Sequence, residues 1–152
     1  MLESLYIKNY RLFRELRIES LKRVNLIIGK NNVGKSSLLE AIATYLNRDE
    51  IALSIYKISC DRREWVKDNF KLKAILNSLT TLFYDRKFVF NESDDAIYVG
   101  NDEQRGISFY LRNPDSNNRK NRPALIVTDN NKKVEEILLL DFENYTLMPS
   151  SV

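Results

Sequence analysis

Residues 24–46 read VNLIIGKNNVGKSSLLEAIATYL, and the fold turns on this stretch. Gly29 to Ser36, GKNNVGKS, match the phosphate-binding pattern G-x-x-x-x-G-K-[ST] in full. The flanks matter as much as the match. Val24 to Ile28 form an apolar run, which predicts a buried strand. Ser37 to Leu46 carry apolar residues at helical spacing, which predicts a helix with Leu38, Leu39, Ile42 and Leu46 on its buried side. Strand, loop and helix in that order are the setting in which such a loop holds phosphate.

The chemistry of the loop follows from donor density. A polyphosphate needs many hydrogen-bond donors close together. A bent loop turns successive backbone N–H groups inward, and the helix start behind it adds unpaired N–H groups and a positive dipole end. Gly29 and Gly34 permit angles and approaches that a Cβ blocks. Asn31 and Asn32 suit left-handed backbone. Lys35, the candidate catalytic residue, is expected to reach the β- and γ-phosphates. Ser36 is expected to offer its hydroxyl to Mg²⁺. The candidate cofactor-binding set is Gly29, Lys30, Asn31, Asn32, Val33, Gly34, Lys35, Ser36 and Ser37. The chain has four glycines, and two of them fall in this loop.

Composition narrows the remaining chemistry. The 152 residues allow one domain with its own core. Hydrophobic content is 43% and charged content 30%, ordinary for a globular protein. No apolar run approaches the roughly 20 residues of a membrane helix. The start, Met1 to Lys8, lacks a secretory pattern, so a cytoplasmic location with no membrane partner is expected. The single cysteine, Cys60, allows no internal disulfide. With no histidine, His-based acid–base catalysis and most transition-metal sites are excluded, while oxygen-ligated Mg²⁺ remains available. A net charge of +3 is compatible with nucleic-acid contact without arguing for it.

Along the chain, Met1 to Arg11 alternates as a strand, and Leu12 to Glu19 as a second. Asn47 to Cys60 is ambiguous. Asp61 to Phe83 carries Leu72, Ile75, Leu76, Leu79, Leu82 and Phe83 at helical spacing, with Trp65 and Phe70 in its early turns. From Lys87 the character changes. Short strand-like runs at 87–90, 96–99, 107–111, 125–128 and 134–140 are separated by turn-rich segments, which predicts an antiparallel meander over about 87–148. Asn113 to Asn121 is a long polar loop whose basic residues, with Arg122, suit either solvent or a phosphate backbone.

Residues 1–46 resemble the N-terminus of ABC-type ATPase heads of the RecF, SMC and OLD group. The resemblance rests on Ile7-Lys8-Asn9-Tyr10-Arg11-Leu12-Phe13, like the family's I-x-N-F/Y-R-x-F. It rests also on Leu26 to Ile42, like G-x-N-G-x-G-K-[ST]-[ST]-L-L-E-A-I. Asn32 replaces the common Gly, as in OLD-like members. Tyr145 to Ser151 resembles a strand followed by P-S-S in OLD-like ATPases of phage-defence type. The resemblance implies an α/β fold: a P-loop NTPase, the ABC-ATPase-like N-terminal lobe, with an antiparallel β layer beside the P-loop sheet. Residues 1–152 then form a single ATP-binding lobe, a fragment of a larger ATPase. ATP and Mg²⁺ are the implied cofactors, and Arg11 lies near the nucleotide. The implied partners are a missing C-terminal lobe or the chain's own continuation, a second head in a homodimer, and DNA or a nuclease.

No signature motif, D-loop or Asp-Glu pair after a buried strand is present, so the chain alone is expected to bind ATP without turning it over. Ile137-Leu138-Leu139-Leu140-Asp141 matches a loose Walker B pattern, with Glu143 nearby. That leaves two alternatives: a self-sufficient small P-loop NTPase or kinase with Asp141 on Mg²⁺ and Arg119 and Arg122 in a lid, or a non-hydrolysing assembly module. The competing reading of the same residues pairs 125–128 with 134–140 as a hairpin across Asp129-Asn130-Asn131, which leaves Asp141 structural.

Overall fold

Turn chemistry lays down the antiparallel strands. The computed structural model describes residues 2–64, 72–87, 95–112, 124–130 and 132–138. Strand β1 (Leu5–Tyr10) reverses through Arg11-Leu12 into β2 (Phe13–Ile18), with Tyr10 opposite Phe13 and Leu5 opposite Ile18. The other side of β1 pairs with β3 (Ile97–Gly100), Ile7 opposite Val99. Strands β4 (Gly106–Arg112), β5 (Ala124–Asp129) and β6 (Lys132–Leu138) complete a six-stranded antiparallel sheet of order β2-β1-β3-β4-β5-β6. The predicted runs at 96–99, 107–111, 125–128 and 134–140 correspond to β3 to β6, with 139 and 140 outside the described residues. In the run at 87–90, Lys87 lies outside any strand, and the rest falls outside the described residues, as do Asn113 to Arg122.

The two glycines beyond the loop are explained by close approach. Gly100 and Gly106 face each other across the β3–β4 turn, and a Cβ on Gly106 would sit 2.6 Å from the Gly100 Cα. Asn130 turns β5 into β6 in a left-handed conformation, φ 48°, and its N–H donates to the Gly106 carbonyl at 3.0 Å.

Strand alternation sends one face of the sheet inward. Leu5, Ile7, Val99, Ile107, Phe109 and Val127 are fully buried there. Helices α1 (Lys35–Leu46), α2 (Ile51–Asp61) and α3 (Leu72–Thr80) supply Leu38, Ala41, Tyr45, Ile51, Ile55 and Leu79 to the same core. Helix α1 lies against β1 and β3, which holds the loop at one end of the sheet. Among the described residues no helix is long and apolar enough to cross a membrane.

The structure corrects the sequence reading in three places. Val24 to Ile28 form no strand, and Val24, Leu26 and Ile28 are 87%, 85% and 81% exposed. A strand exists by pairing its backbone, and no described strand lies beside this run. The buried face of α1 is Ser37, Leu38, Ala41, Thr44 and Tyr45, while Leu39 and Leu46 stand 56% and 61% exposed and Ile42 is half-buried. The apolar stripe of α1 is wider than the sheet beneath it can cover. Finally, of the helix expected over 61–83, the described helical part is α3, Leu72–Thr80, while Asp61 is the last residue of α2. Helix α2 stops at Asp61 because Arg63 adopts a left-handed conformation, φ 56°. The Glu64 N–H then returns to the Ser59 carbonyl and the Arg63 N–H to the Cys60 carbonyl, both at 2.9 Å, a Schellman ending. Trp65 and Phe70 lie outside the described residues, and Leu82 and Phe83 follow α3 rather than belonging to it.

Candidate functional site

The loop at 29–36 is shaped by its two glycines. Gly34 is the N-cap of α1 with φ 97° and ψ 9°, and the Phe13 ring from β2 packs so closely that a Cβ would lie 2.8 Å from Cζ. A Cβ on Gly29 would lie 2.9 Å from Val33 Cγ2. Asn32 is left-handed at φ 63°. The Lys35 ammonium folds back and donates to the carbonyls of Gly29 and Lys30, both at 2.6 Å, which braces the loop into a ring. An ammonium has three donors, so this uses two of them.

Helix α1 begins without a side-chain cap and without an acidic residue in its first turn. Its opening N–H groups have no intrahelical acceptor, and the dipole end is positive. Lys35, exposed Ser36 and the loop amides surround a cleft of about 610 Å³ whose lining includes Leu12, Asn31, Asn32, Ser37 and Arg62. The lining residues offer hydrogen-bond donors and two cations and include no carboxylate, a chemistry suited to an anion. Among the described residues no group of three Asp, Glu, His or Cys side chains could hold a metal. The Ser36 hydroxyl suits Mg²⁺ as one hard oxygen ligand, provided that phosphate oxygens and water complete the shell. The donors and the glycine-shaped cavity therefore fit a phosphate chain with its cation.

Arg11 sits behind the cradle, 8% exposed. Its φ of 51° is unfavourable for a non-glycine residue by roughly 1 kcal/mol. The conformation is held by its contacts. Its backbone N–H donates to the Leu82 carbonyl at 2.7 Å. The guanidinium grips both Glu64 oxygens at 2.9 and 3.0 Å and meets Glu40 at 2.9 Å. Burial is the largest single influence and works against the Arg11 charge, but the Glu64 hydrogen bonds together with Tyr10 and Glu40 outweigh it and hold its pKa above the ordinary value. Burial also pushes the neighbouring Tyr10 phenol up to about 12, against the opposing charge of Arg11.

Glu40 is shared. Its other oxygen accepts from Arg62 Nε at 2.5 Å, and Arg62 Nη2 donates to Ser37 Oγ at 3.3 Å. The Schellman ending of α2 thus delivers Arg62 to the cleft wall and Glu64 to Arg11. Of the predicted set, Asn31, Asn32, Gly34, Lys35, Ser36 and Ser37 line the cleft, Gly29, Lys30 and Val33 are not part of that lining, and Arg11 lines a neighbouring cavity with Ser37 and Arg62. Asp141, Glu143, Arg119, Arg122 and Tyr145 to Ser151 lie outside the described residues. Strand β6, which leads toward Asp141, is at the sheet edge, four strands from β1. Sequence reasoning missed Phe13, Glu40, Arg62 and Glu64. Arg62 and Glu64 carry no motif signal, because a helix ending places them.

Sequence comparison places the chain among ATPases. The family model described as AAA ATPase domain matches residues 1–148. An ATP/GTP phosphatase of Helicobacter pylori is 45% identical over 42 residues, 28% of this chain and 11% of that protein. The DNA replication and repair protein RecF of Staphylococcus haemolyticus is 33% identical over 79 residues, 50% of this chain and 20% of that protein. The DNA double-strand break repair Rad50 ATPase of Archaeoglobus fulgidus is 50% identical over 42 residues, 28% of this chain and 5% of that protein. The matched stretches span between 5% and 23% of the length of the curated relatives. No solved structure matches the chain. With the family model covering residues 1–148, nearly the whole sequence, the chain belongs to the AAA ATPase domain family.

Proposed function

We propose that the chain is the ATP-binding N-terminal lobe of a RecF/SMC/OLD-like ATPase head, completed by a C-terminal lobe. The loop amides of 29–36 and Lys35 hold the phosphates, and Ser36 orients Mg²⁺, which when bound neutralises phosphate charge. Arg11 acts from behind, fixing α1 through Glu40 and the α2 ending through Glu64. The observation that carries the lobe reading is the uncovered apolar face. Val24, Leu26 and Ile28 meet solvent, and Ile27 shares with Leu39 and Leu46 of α1 an apolar groove of about 510 Å³ that also takes in Leu21 and Ile42. Two or more strands of a second lobe, set beside 24–28, would pair its backbone and bury that stripe. The β2-to-β6 sheet then becomes the antiparallel layer beside a P-loop sheet.

The antiparallel pairing of β6 with β5, Ala124 opposite Leu138, supports the hairpin reading of 125–138 over a metal-binding strand. DNA maintenance is the process suggested by the names of the RecF and Rad50 relatives. Phage defence is suggested by the OLD-like resemblance.

The test is phosphate release from Mg-ATP by the purified chain, with Lys35→Ala as the contamination control. Hydrolysis needs an aligned water and stabilisation of the transferring group, and the cradle supplies only part of the second. No turnover above the Lys35→Ala background is expected. A rate near 1 s⁻¹, at the low end of typical enzymes and lost in Lys35→Ala, would replace the lobe reading with a self-sufficient NTPase.

A further inference from the structure

We propose that Arg62 is a second phosphate-holding cation of the cleft, serving the phosphate nearest the nucleoside, and that Glu40 competes with that phosphate for it. The inference rests on the nucleotide-binding reading above and assigns a role within the same site.

Two cations line the cleft, and they stand at opposite ends of the motif. The Lys35 amine is fixed over the Gly29 and Lys30 carbonyls, at the loop end. Arg62 stands against Ser37 and Glu40, one turn into α1. A chain of phosphates lying along the loop and helix start, with its terminal groups at Lys35, brings its nucleoside end toward Ser37 and Arg62. The backbone of Arg62 is placed by the helix ending, since Arg62 is the C-cap of α2 and its N–H donates to the Ile58 carbonyl at 3.1 Å.

The ion pairing of Arg62 also marks it as the member of the network able to exchange partners. Arg11 is 5% exposed at its side chain and is held by both oxygens of Glu64. Arg62 is 31% exposed, shares Glu40 with Arg11 and borders the cleft. A phosphate group offers Arg62 two oxygens for a two-pronged contact, whereas Glu40 offers it one, its other oxygen facing Arg11. When Arg62 turns to it, Glu40 keeps Arg11 as a partner, so no carboxylate is left unpaired.

Calorimetric titration of Mg-ATP and Mg-ADP into four proteins tests this: wild type, Arg62→Gln, Arg62→Lys and Glu40→Gln. Arg62→Gln is expected to weaken ATP and ADP equally, by ~10-fold or more, the value of a charge-assisted hydrogen bond. Arg62→Lys should recover part of the loss. Glu40→Gln, which removes the competitor, should tighten both nucleotides. A purely structural ion pair predicts otherwise: both substitutions would shift affinity the same way or not at all, and either result overturns the proposal. Weakening of ATP with ADP unchanged would place Arg62 on the terminal phosphate and overturn the assignment. Failure of wild type to bind either nucleotide would remove the nucleotide reading itself, and this proposal with it. Ligand-free melts identify any variant that fails to fold. If that is Arg62→Gln, the opposite signs expected of Glu40→Gln and Arg62→Lys carry the test.

Discussion

Gly34→Ala tests whether the phosphate loop is shaped by Phe13. The substitution carries two separable costs. An L-residue at φ 97° is strained, which costs about 1–2 kcal/mol. The new Cβ would also lie 2.8 Å from Phe13 Cζ and 3.2 Å from Cε1, inside ordinary contact. Displacing a packed ring costs about 1–3 kcal/mol. The expected total is about 2–5 kcal/mol. Urea unfolding of wild type, Gly34→Ala, Phe13→Ala and the double variant separates the parts, provided that the m-value is constant. Phe13→Ala should relieve the contact but not the backbone strain. The double variant should therefore be more stable than additivity predicts by about 1–3 kcal/mol, yet still less stable than Phe13→Ala alone. A Gly34→Ala cost under about 0.5 kcal/mol, or strict additivity, would refute the close packing of Phe13 on the loop.

Arg11→Ala should be severely destabilising, by about 3–5 kcal/mol in urea unfolding, because Glu40 and Glu64 would lose a buried partner; a cost near zero would make the pair ornamental. Burial raises the folded pKa of Tyr10 to about 12 from 10, so its contribution of roughly 2–3 kcal/mol is complete below pH 10 and is lost as pH rises toward 12. Comparing melts from pH 9 to 12, Tyr10→Phe should flatten the alkaline decline, and an unchanged slope would contradict the burial effect. Leu39→Glu and Leu46→Lys should each change the stability of the chain alone by no more than about 0.5 kcal/mol, as exposed positions do. Losses of about 2–5 kcal/mol, typical of core leucines, would show that the outer face of α1 is already covered.

The turn into α1 was legible because its residue types follow a phosphate-binding pattern. Glycine at 34 and lysine at 35 have few substitutes there. The meander was legible from turn residues, with Gly100, Gly106 and Asn130 each at a reversal. Helix α2 was legible in principle: Ile51, Ala52, Ile55, Ile58 and Ser59 are its buried residues, at helical spacing. The stop at Arg63 was hidden, because left-handed backbone there is held by carbonyls and not by a glycine. Val24 to Ile28 show the deeper limit. An apolar run records that a segment is buried somewhere, but not whether the covering residues lie in the same stretch of chain. Resemblance singled out Arg11, whereas its grip on Glu64 depends on where α2 ends.

Titration of Mg-ATP into the chain and into Lys35→Ala tests the central claim most directly. One saturable site per chain is expected, with binding that raises stability by about 2.7 kcal/mol at 100 times its Kd and that largely disappears in Lys35→Ala. A folded chain that shows no saturation at millimolar Mg-ATP, or binding that Lys35→Ala leaves intact, would contradict it.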